Sequence, residues 1–295
     1  MHDICCIGHI THDHIITPHS DIHLPGGTSY YFSCGIQALN PGRHGISYRL
    51  VTSIADTDAD VIARLRRTGI ETTVIPSRET LYFENIYDND INNRRQRVLA
   101  TADPFSLKDL QDIEARYIVL GSLLAEDFNL EILRYLHSRS ILTVDAQGFL
   151  RSIRDYRVYA TDWEWKMEAL KYTDILKINE DEVEVLTGET DYHKACLLLA
   201  QWGVKEVLLT LGENGSILLH EGTFYELPAL HPHEIVDTTG CGDTYVMGYI
   251  FQRASGADVL RAGQFATAVS CAKLEHHGPF NETYEEATAR MLQQQ

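Results

Sequence analysis

Residues 235–243 read Ile-Val-Asp-Thr-Thr-Gly-Cys-Gly-Asp, and the chain then turns apolar through Tyr245, Val246, Met247, Tyr249, Ile250 and Phe251. A β-branched pair meets a Gly-x-Gly turn, and the turn opens a helix. Glycines at 240 and 242 let the backbone approach a ligand with no Cβ in the way. The first turn of a helix has unpaired N–H groups and partial positive charge, which suits a phosphate. Asp243 then sets a carboxylate at the mouth of that anion site. A fixed negative charge would repel a phosphate that only had to be held. It makes sense if the carboxylate accepts a proton from a nucleophile attacking that phosphate. Two other phosphate motifs fit badly. The chain has no Gly-Lys-Ser/Thr, which excludes a Walker-type loop. Gly240-Cys-Gly242 could begin a dinucleotide fingerprint, but the third glycine comes only at 248.

Around this segment the sequence lays out elements able to position it. Ile4-Cys-Cys-Ile-Gly8 reads as a buried first strand, Tyr48 to Ile54 as a strand, and Thr57 to Thr68 as a helix. Further strand patterns lie at Tyr117 to Leu120, Leu142 to Asp145, Ile175 to Ile178 and Val207 to Leu211, with helical segments near 128–138, 164–172, 181–187 and 191–202. The alternation predicts a mostly parallel sheet covered on both faces. Ligands of such sheets bind beyond the carboxyl ends of the strands, where Asp13, Asp145, Asn179 and Thr210 are expected. Residues 71–102 differ: Thr72-Thr-Val-Ile, Leu81-Tyr-Phe-Glu-Asn-Ile-Tyr and Arg97-Val-Leu-Ala alternate with period 2 around a polar tip, Asp88-Asn-Asp-Ile-Asn-Asn. Together with the polar stretch 14–33 they predict a small β-sheet lid, with a helix beginning at Cys34. An apolar lid face needs a cover, either bound acceptor or a second subunit in a homodimer.

Asp237-Thr-Thr-Gly-Cys-Gly-Asp243 resembles the C-terminal signature of the ribokinase-like, or PfkB, carbohydrate kinases. The resemblance implies a three-layer α/β fold and one kinase domain over residues 1–295. It also implies Asp243 as base and an anion hole from the backbone of Gly240, Cys241 and Gly242. The remaining family motifs follow in order. Gly8-His-Ile-Thr-His-Asp13 is similar to an opening motif whose Asp binds substrate hydroxyls, and Pro25-Gly26-Gly27-Thr28 to a Gly-Gly signature that approaches the acceptor. The Asn that often follows is replaced by Ser29-Tyr30-Tyr31-Phe32, which departs from the usual sugar contact. Asn179-Glu-Asp-Glu182 resembles an Asn-x-x-Glu motif that orients Mg²⁺ through water, Glu182 standing in the outer shell. Thr210-Leu-Gly212-Glu-Asn-Gly215 resembles a nucleotide-phosphate loop, and Gly278 is placed to close the adenine pocket. Asp145-Ala-Gln-Gly148 and Thr101-Ala-Asp103-Pro104 lean toward polyol kinases of the inositol type. ATP as donor, Mg²⁺ and, as a further candidate, a monovalent cation are the cofactors implied.

Composition bounds the partners. Of 295 residues, 44% are hydrophobic, and 42 acidic against 25 basic residues give a net charge of −17, which disfavours nucleic acid and anionic membranes. The start Met1-His-Asp lacks the basic character of a signal peptide, and no apolar run approaches membrane-spanning length. The six cysteines contain no Cys-x-x-Cys pair and read as reduced thiols in a cytoplasm. Cys241 is the exception to watch, since a helix start lowers a thiol's pKa. His9, His12, His14, His19 and His23 match no ordered ligand spacing, so no metal site is expected from them. The expected reaction is transfer of a γ-phosphate from ATP to a hydroxyl of a sugar or related polyol, with nucleoside and inositol acceptors open. A non-catalytic sugar- or nucleotide-binding protein on the same scaffold is the main rival.

Overall fold

The computed structural model describes residues 1–87 and 94–293. Its body is a nine-stranded sheet. Strand β1 (His2–Gly8) lies inside it, sending Ile4 and Cys6 into one apolar core and Cys5 and Ile7 into the other. That burial of both faces is why the strand reads as a continuous apolar run. On one side of β1 lie β4 (Tyr48–Ile54) and the edge strand β5 (Glu71–Pro76). On the other lie β8 (Ala115–Gly121), β9 (Ile141–Asp145), β12 (Ile175–Asn179) and β13 (Glu206–Thr210). These seven strands run parallel. An antiparallel hairpin, β14 (Ser216–His220) and β15 (Thr223–Leu227), finishes the sheet.

Helices cover both faces. On the first, α1 (Thr28–Ala38), α2 (Ala59–Arg67), α8 (Cys241–Ala254), α9 (Val259–Leu274) and α10 (Tyr284–Leu292) contribute Ile36, Ile62, Met247, Phe265 and Met291 to one core. On the second, α4 (Leu130–His137), α6 (Glu180–Thr187) and α7 (Tyr192–Gln201), with the short α3 (Leu107–Leu110) and α5 (Lys166–Ala169), contribute Ile132, Leu136, Val183 and Leu199. Three layers result, as expected of the α/β reading. Among the described residues no helix is long and apolar enough to cross a membrane.

A second sheet has six strands, ordered β10 (Arg151–Arg154), β11 (Arg157–Ala160), β7 (Arg94–Ala100), β6 (Leu81–Tyr87), β2 (Thr11–Thr17) and β3 (Ser20–Gly26). Its root packs Leu81, Phe83 and Val98 against Leu123 and Leu124 of the body. Three sequence expectations are corrected here. Residues 71–76 belong to the central sheet, not the small one, because β5 pairs with β4 in parallel. A half-covered edge strand alternates like a hairpin strand, so period alone cannot separate the two. The segment 14–33 is not lid throughout: α1 begins at Thr28, ahead of the Cys34 expected from sequence. The hairpin β10–β11 joins the small sheet unanticipated. The polar tip at 88–93 lies outside the described residues. Ile235 and Val236 form no strand; Val236 N–H instead donates to Leu274 O at 2.7 Å.

Candidate active site

From β1 the chain builds outward through β4 to β5, then returns to the far side of β1 and proceeds from β8 to β13. The order therefore reverses between β1 and β8, the place where open α/β sheets leave a crevice for ligands. Both strands end in glycine there, Gly8 paired with Gly121. A Cβ on Gly121 would lie 2.5 Å from Thr28 Cβ, and one on Gly8 2.7 Å from Gly121 O. The missing side chains let the N-terminus of α1 sit directly over the strand ends.

Helix α8 starts in the same crevice. Gly240 is its N-cap at φ 78°, and a Cβ there would collide with the ring of Tyr31. Glycine is required twice over, by the left-handed backbone and by the close approach. Tyr31, from the aromatic run after Gly26-Gly27, thus seats the C-terminal signature on the N-terminal one. Tyr31 is buried, and the charges of Asp237, Asp13 and Asp243 all bear on its phenol, which burial pushes up. No side chain caps α8, and Cys241 N–H turns back to Thr238 O at 3.3 Å. The N–H groups of Gly242 and Asp243 are left with no protein partner among the described residues.

Asp243 accepts a hydrogen bond from the Thr28 hydroxyl. Burial, with the nearby Asp145 carboxylate, pushes its pKa up to about 6. Beside it stands a cation that sequence reasoning missed. Lys177 of β12 is buried, its Nζ 3.2 Å from Asp145 Oδ2 and 4.0 Å from Glu182 Oε2, and 3.3 Å from where a Cβ on Gly242 would lie. Burial alone would lower the pKa of that ammonium. Asp145, Glu182 and Asp243 override it and hold Lys177 well above the usual lysine range. The only hint in the sequence was a lysine inside an otherwise apolar strand, where an unpaired charge would be costly.

The other expected residues sort into three groups. Asn179 and Thr210 are register partners at the carboxyl ends of β12 and β13, and the Thr210 loop continues to Gly212 and Gly215, so this group is brought to one edge of the crevice. Asn179 and Glu182 form a capping box on α6: Asn179 Oδ1 accepts from Glu182 N and Glu182 Oε2 from Asn179 N, both at 2.9 Å. Asp13 does not follow a body strand as expected; it lies within β2, on the small sheet. It is buried against Gly26, with Thr11 Oγ1 donating to its Oδ1 at 2.6 Å. Gly27 is the N-cap of α1. Gly278 lies farther along, in the connection between α9 and α10, at φ 81°.

Two cofactor questions have a geometric answer. Asp145 and Glu182 are both turned to the Lys177 ammonium, at 3.2 and 4.0 Å, so an Mg²⁺ in this crevice fits through waters and donor phosphates, the habit of that ion. At the signature loop the convergent oxygens are taken: Lys273 Nζ, fully buried, donates to Asp237 O at 3.0 Å and lies 3.3 Å from both Asp237 Oδ2 and His276 O. The Cys241 thiol is not activated as its helix position suggested. Burial pushes it up to about 12, outweighing the opposite pull of Lys273.

Comparison with known proteins assigns the chain to a family. The family model described as pfkB family carbohydrate kinase matches residues 1–286. A cytidine kinase of Thermococcus kodakarensis is 28% identical over 260 residues, covering 85% of this chain and 88% of that protein. A nucleoside kinase of Methanocaldococcus jannaschii is 22% identical over 94% of this chain and 92% of its own. Among solved structures, a pyrophosphate-dependent kinase in the ribokinase family, complexed with a pyrophosphate analog and myo-inositol, superposes with a TM-score of 0.85 at 28% identity, covering 97% of this chain and 99% of that one. Arabidopsis thaliana ribokinase complexed with ribose and ATP superposes at 0.77 and 20% identity over 98% of each chain, a likeness of fold. The chain belongs to the pfkB family of carbohydrate kinases: it is a ribokinase-like kinase, a phosphotransferase whose acceptor is an alcohol group.

Proposed function

We propose that the protein transfers the γ-phosphate of ATP to a hydroxyl of a sugar or related polyol held between the small sheet and the body. The observation that carries this reading is Asp243 at the uncapped start of α8 with the Lys177 ammonium beside it. Asp243 takes the acceptor's proton as attack begins. The N–H groups of Gly242 and Asp243 receive charge on the moving phosphoryl group, and Lys177 neutralises more of it. Asp13 and the Gly26-Gly27 backbone orient the acceptor, with Tyr31 as its floor. Asn179, Thr210, Gly212, Gly215 and Gly278 lie on the donor side. Mg²⁺, when bound, spreads the charge of the donor phosphates, with Glu182 in its outer shell. Lys273 already joins the loops whose oxygens converge at Asp237, so no monovalent cation is required there. The expected compartment is a reducing cytoplasm, which six unpaired cysteines support.

A second reading takes pyrophosphate as donor. It is favoured by the 28% identity to a pyrophosphate-dependent kinase and by two cations, Lys177 and Arg151, acting electrostatically on Asp243. A donor without an adenine handle needs such charge directly on its phosphates. The test crosses ATP and pyrophosphate with ribose, cytidine and myo-inositol, following release of ADP or phosphate. Acceptor-dependent release from ATP supports the first reading and from pyrophosphate the second. Donor binding without turnover for every pair would put the acceptor outside these three alcohols.

A further inference from the structure

The small sheet has two faces, and only one looks into the crevice. Along β2, Asp13 points to one face and His12 and His14 to the other. The antiparallel register sets His14 directly opposite His23 of β3. Their rings stack at 4.1 Å with 15° between planes. Asp21, two residues before His23 and so on the same face, brings Oδ1 to 2.6 Å from His14 Nε2. One ligand atom each from His14, Asp21 and His23 lies within 4.8 Å of the other two. His12 stands next, Nε2 3.2 Å from His23 Nδ1, its ring stacked on Tyr82 at 4.7 Å. Glu84 approaches His14 Nδ1 at 3.8 Å but is already paired with Arg97 at 2.9 Å.

We propose that His14, Asp21 and His23 form a binding site for one divalent transition-metal ion of the zinc type, on the face of the lid turned away from the phosphoryl-transfer site. Two imidazoles and one carboxylate select zinc, copper or nickel over magnesium and calcium. Directly opposed residues of an antiparallel pair have Cβ atoms about 5 Å apart, close enough for two rings to share an ion. Ligand atoms around tetrahedral zinc sit roughly 3.3 Å apart, given metal–ligand distances of about 2.0–2.1 Å. To reach that geometry the stacked His14 and His23 rings turn about their side-chain bonds until one nitrogen of each faces the ion with Asp21, from ligand atoms now within 4.8 Å of one another. Asp21 and His23 are exposed, so the ion enters from solvent and water fills the open position. An ion held from both strands clamps the β2–β3 hairpin, whose inner face carries Asp13 and whose base is Gly26. Metal therefore couples to the acceptor side of the site through the stiffness of one hairpin.

The test uses the untagged full chain, stripped with chelator and titrated at pH 7.5 with Zn²⁺ by calorimetry and with Co²⁺ by visible absorption. One ion per chain is expected, with Co²⁺ bands of low-symmetry coordination and a rise in melting temperature with Zn²⁺. The double variant His14→Ala/His23→Ala is expected to lose at least 100-fold in affinity and the zinc-dependent rise, while a control His233→Ala/His277→Ala keeps both. Because the cluster lies on the outer face, the first variant should still fold and transfer phosphoryl groups in buffer that contains Mg²⁺ but no transition metal. Absence of stoichiometric binding to the wild type, or binding that survives in His14→Ala/His23→Ala, overturns the site.

Discussion

Burial and the Asp145 carboxylate push the carboxyl of Asp243 up to about 6, so the proposed base is half-titrated near that pH. A base acts only when deprotonated, so kcat/KM should rise with pH through about 6 and level off above it. Neighbours should move this limb in opposite directions. Asp145→Asn removes a charge that raises the pKa and shifts the limb to lower pH. Lys177→Met removes a charge that lowers it, shifts the limb up, and should also cost roughly 10²–10³ in turnover by loss of electrostatic stabilisation. A limb that stays put in both variants would remove Asp243 from the base role. Stability carries a further sign. An acid whose pKa is higher in the folded chain than in the unfolded one stabilises the fold most below the unfolded value. That contribution is lost as pH rises to the folded value. Asp243→Asn should therefore lower turnover by about 10²–10⁴ while raising stability at pH 7.5 by ~2 kcal/mol, seen as a higher midpoint in urea. Reduced activity with reduced stability would point instead to a structural role. At this scale the sequence was legible where motif and chemistry coincide, as in Gly240 to Asp243. It hinted at Lys177 only through a lysine in an apolar strand and was silent on the seat made by Tyr31, because both roles arise from contacts with residues distant in the chain: Asp145 is 32 residues from Lys177, and Gly240 meets Tyr31 across most of the sequence.

Elements convert these residues into a site by ending in one place. β1 and β8 end together in glycine, α1 and α8 begin above them, and β12 and β13 end level with one another. The capping box on α6 ties two expected nucleotide-side residues to local helix stability. Asn179→Ala should cost about 1 kcal/mol in thermal or urea unfolding. It should also raise KM for the donor more than for the acceptor, whereas equal KM changes would make Asn179 a cap only. Asp13→Ala gives the complementary split, with acceptor KM rising steeply and donor KM little changed, because the carboxylate lies on the lid strand β2 rather than at the body's strand ends. Body strands and helices were readable because strands buried on both faces and amphipathic helices have distinct patterns. The small sheet was readable only in part. β6 alternates between buried and less buried residues, but β5 has a similar strand composition and goes to the other sheet. β10 and β11, four residues each, are too short to carry a period. The histidines of β2 and β3 matched no ligand spacing in sequence, since what aligns His14 with His23 is antiparallel register.

At the scale of the molecule, a large parallel body carries a thin six-stranded sheet on one side of its crevice. The sheet is anchored at its root by Leu81, Phe83, Val98, Leu123 and Leu124. Beyond the root, the face that bears Asp13 also bears Ile15, Ile22 and Leu24, all only partly buried. A two-layer contact that ends partway along a sheet leaves its far half weakly stabilised, the usual condition of a moving lid. Ligand in the crevice, or a second subunit, would complete the cover. Amide exchange measured with and without saturating donor analogue and acceptor should therefore slow in 11–26 and 81–87 and in 94–100. Exchange in α7 and α10, which contribute none of the expected site residues, should be unchanged, and so should exchange in β5, which the central sheet already holds. Sedimentation at several concentrations separates the two covers. Protection that follows ligand at constant mass means closure of the lid on its own body, whereas protection that follows a doubling of mass means a homodimer through this face. Exchange in these strands that is indifferent to both ligand and concentration would mean the small sheet is a fixed wall, and acceptor entry would then have to be sought on the donor side of Asp243.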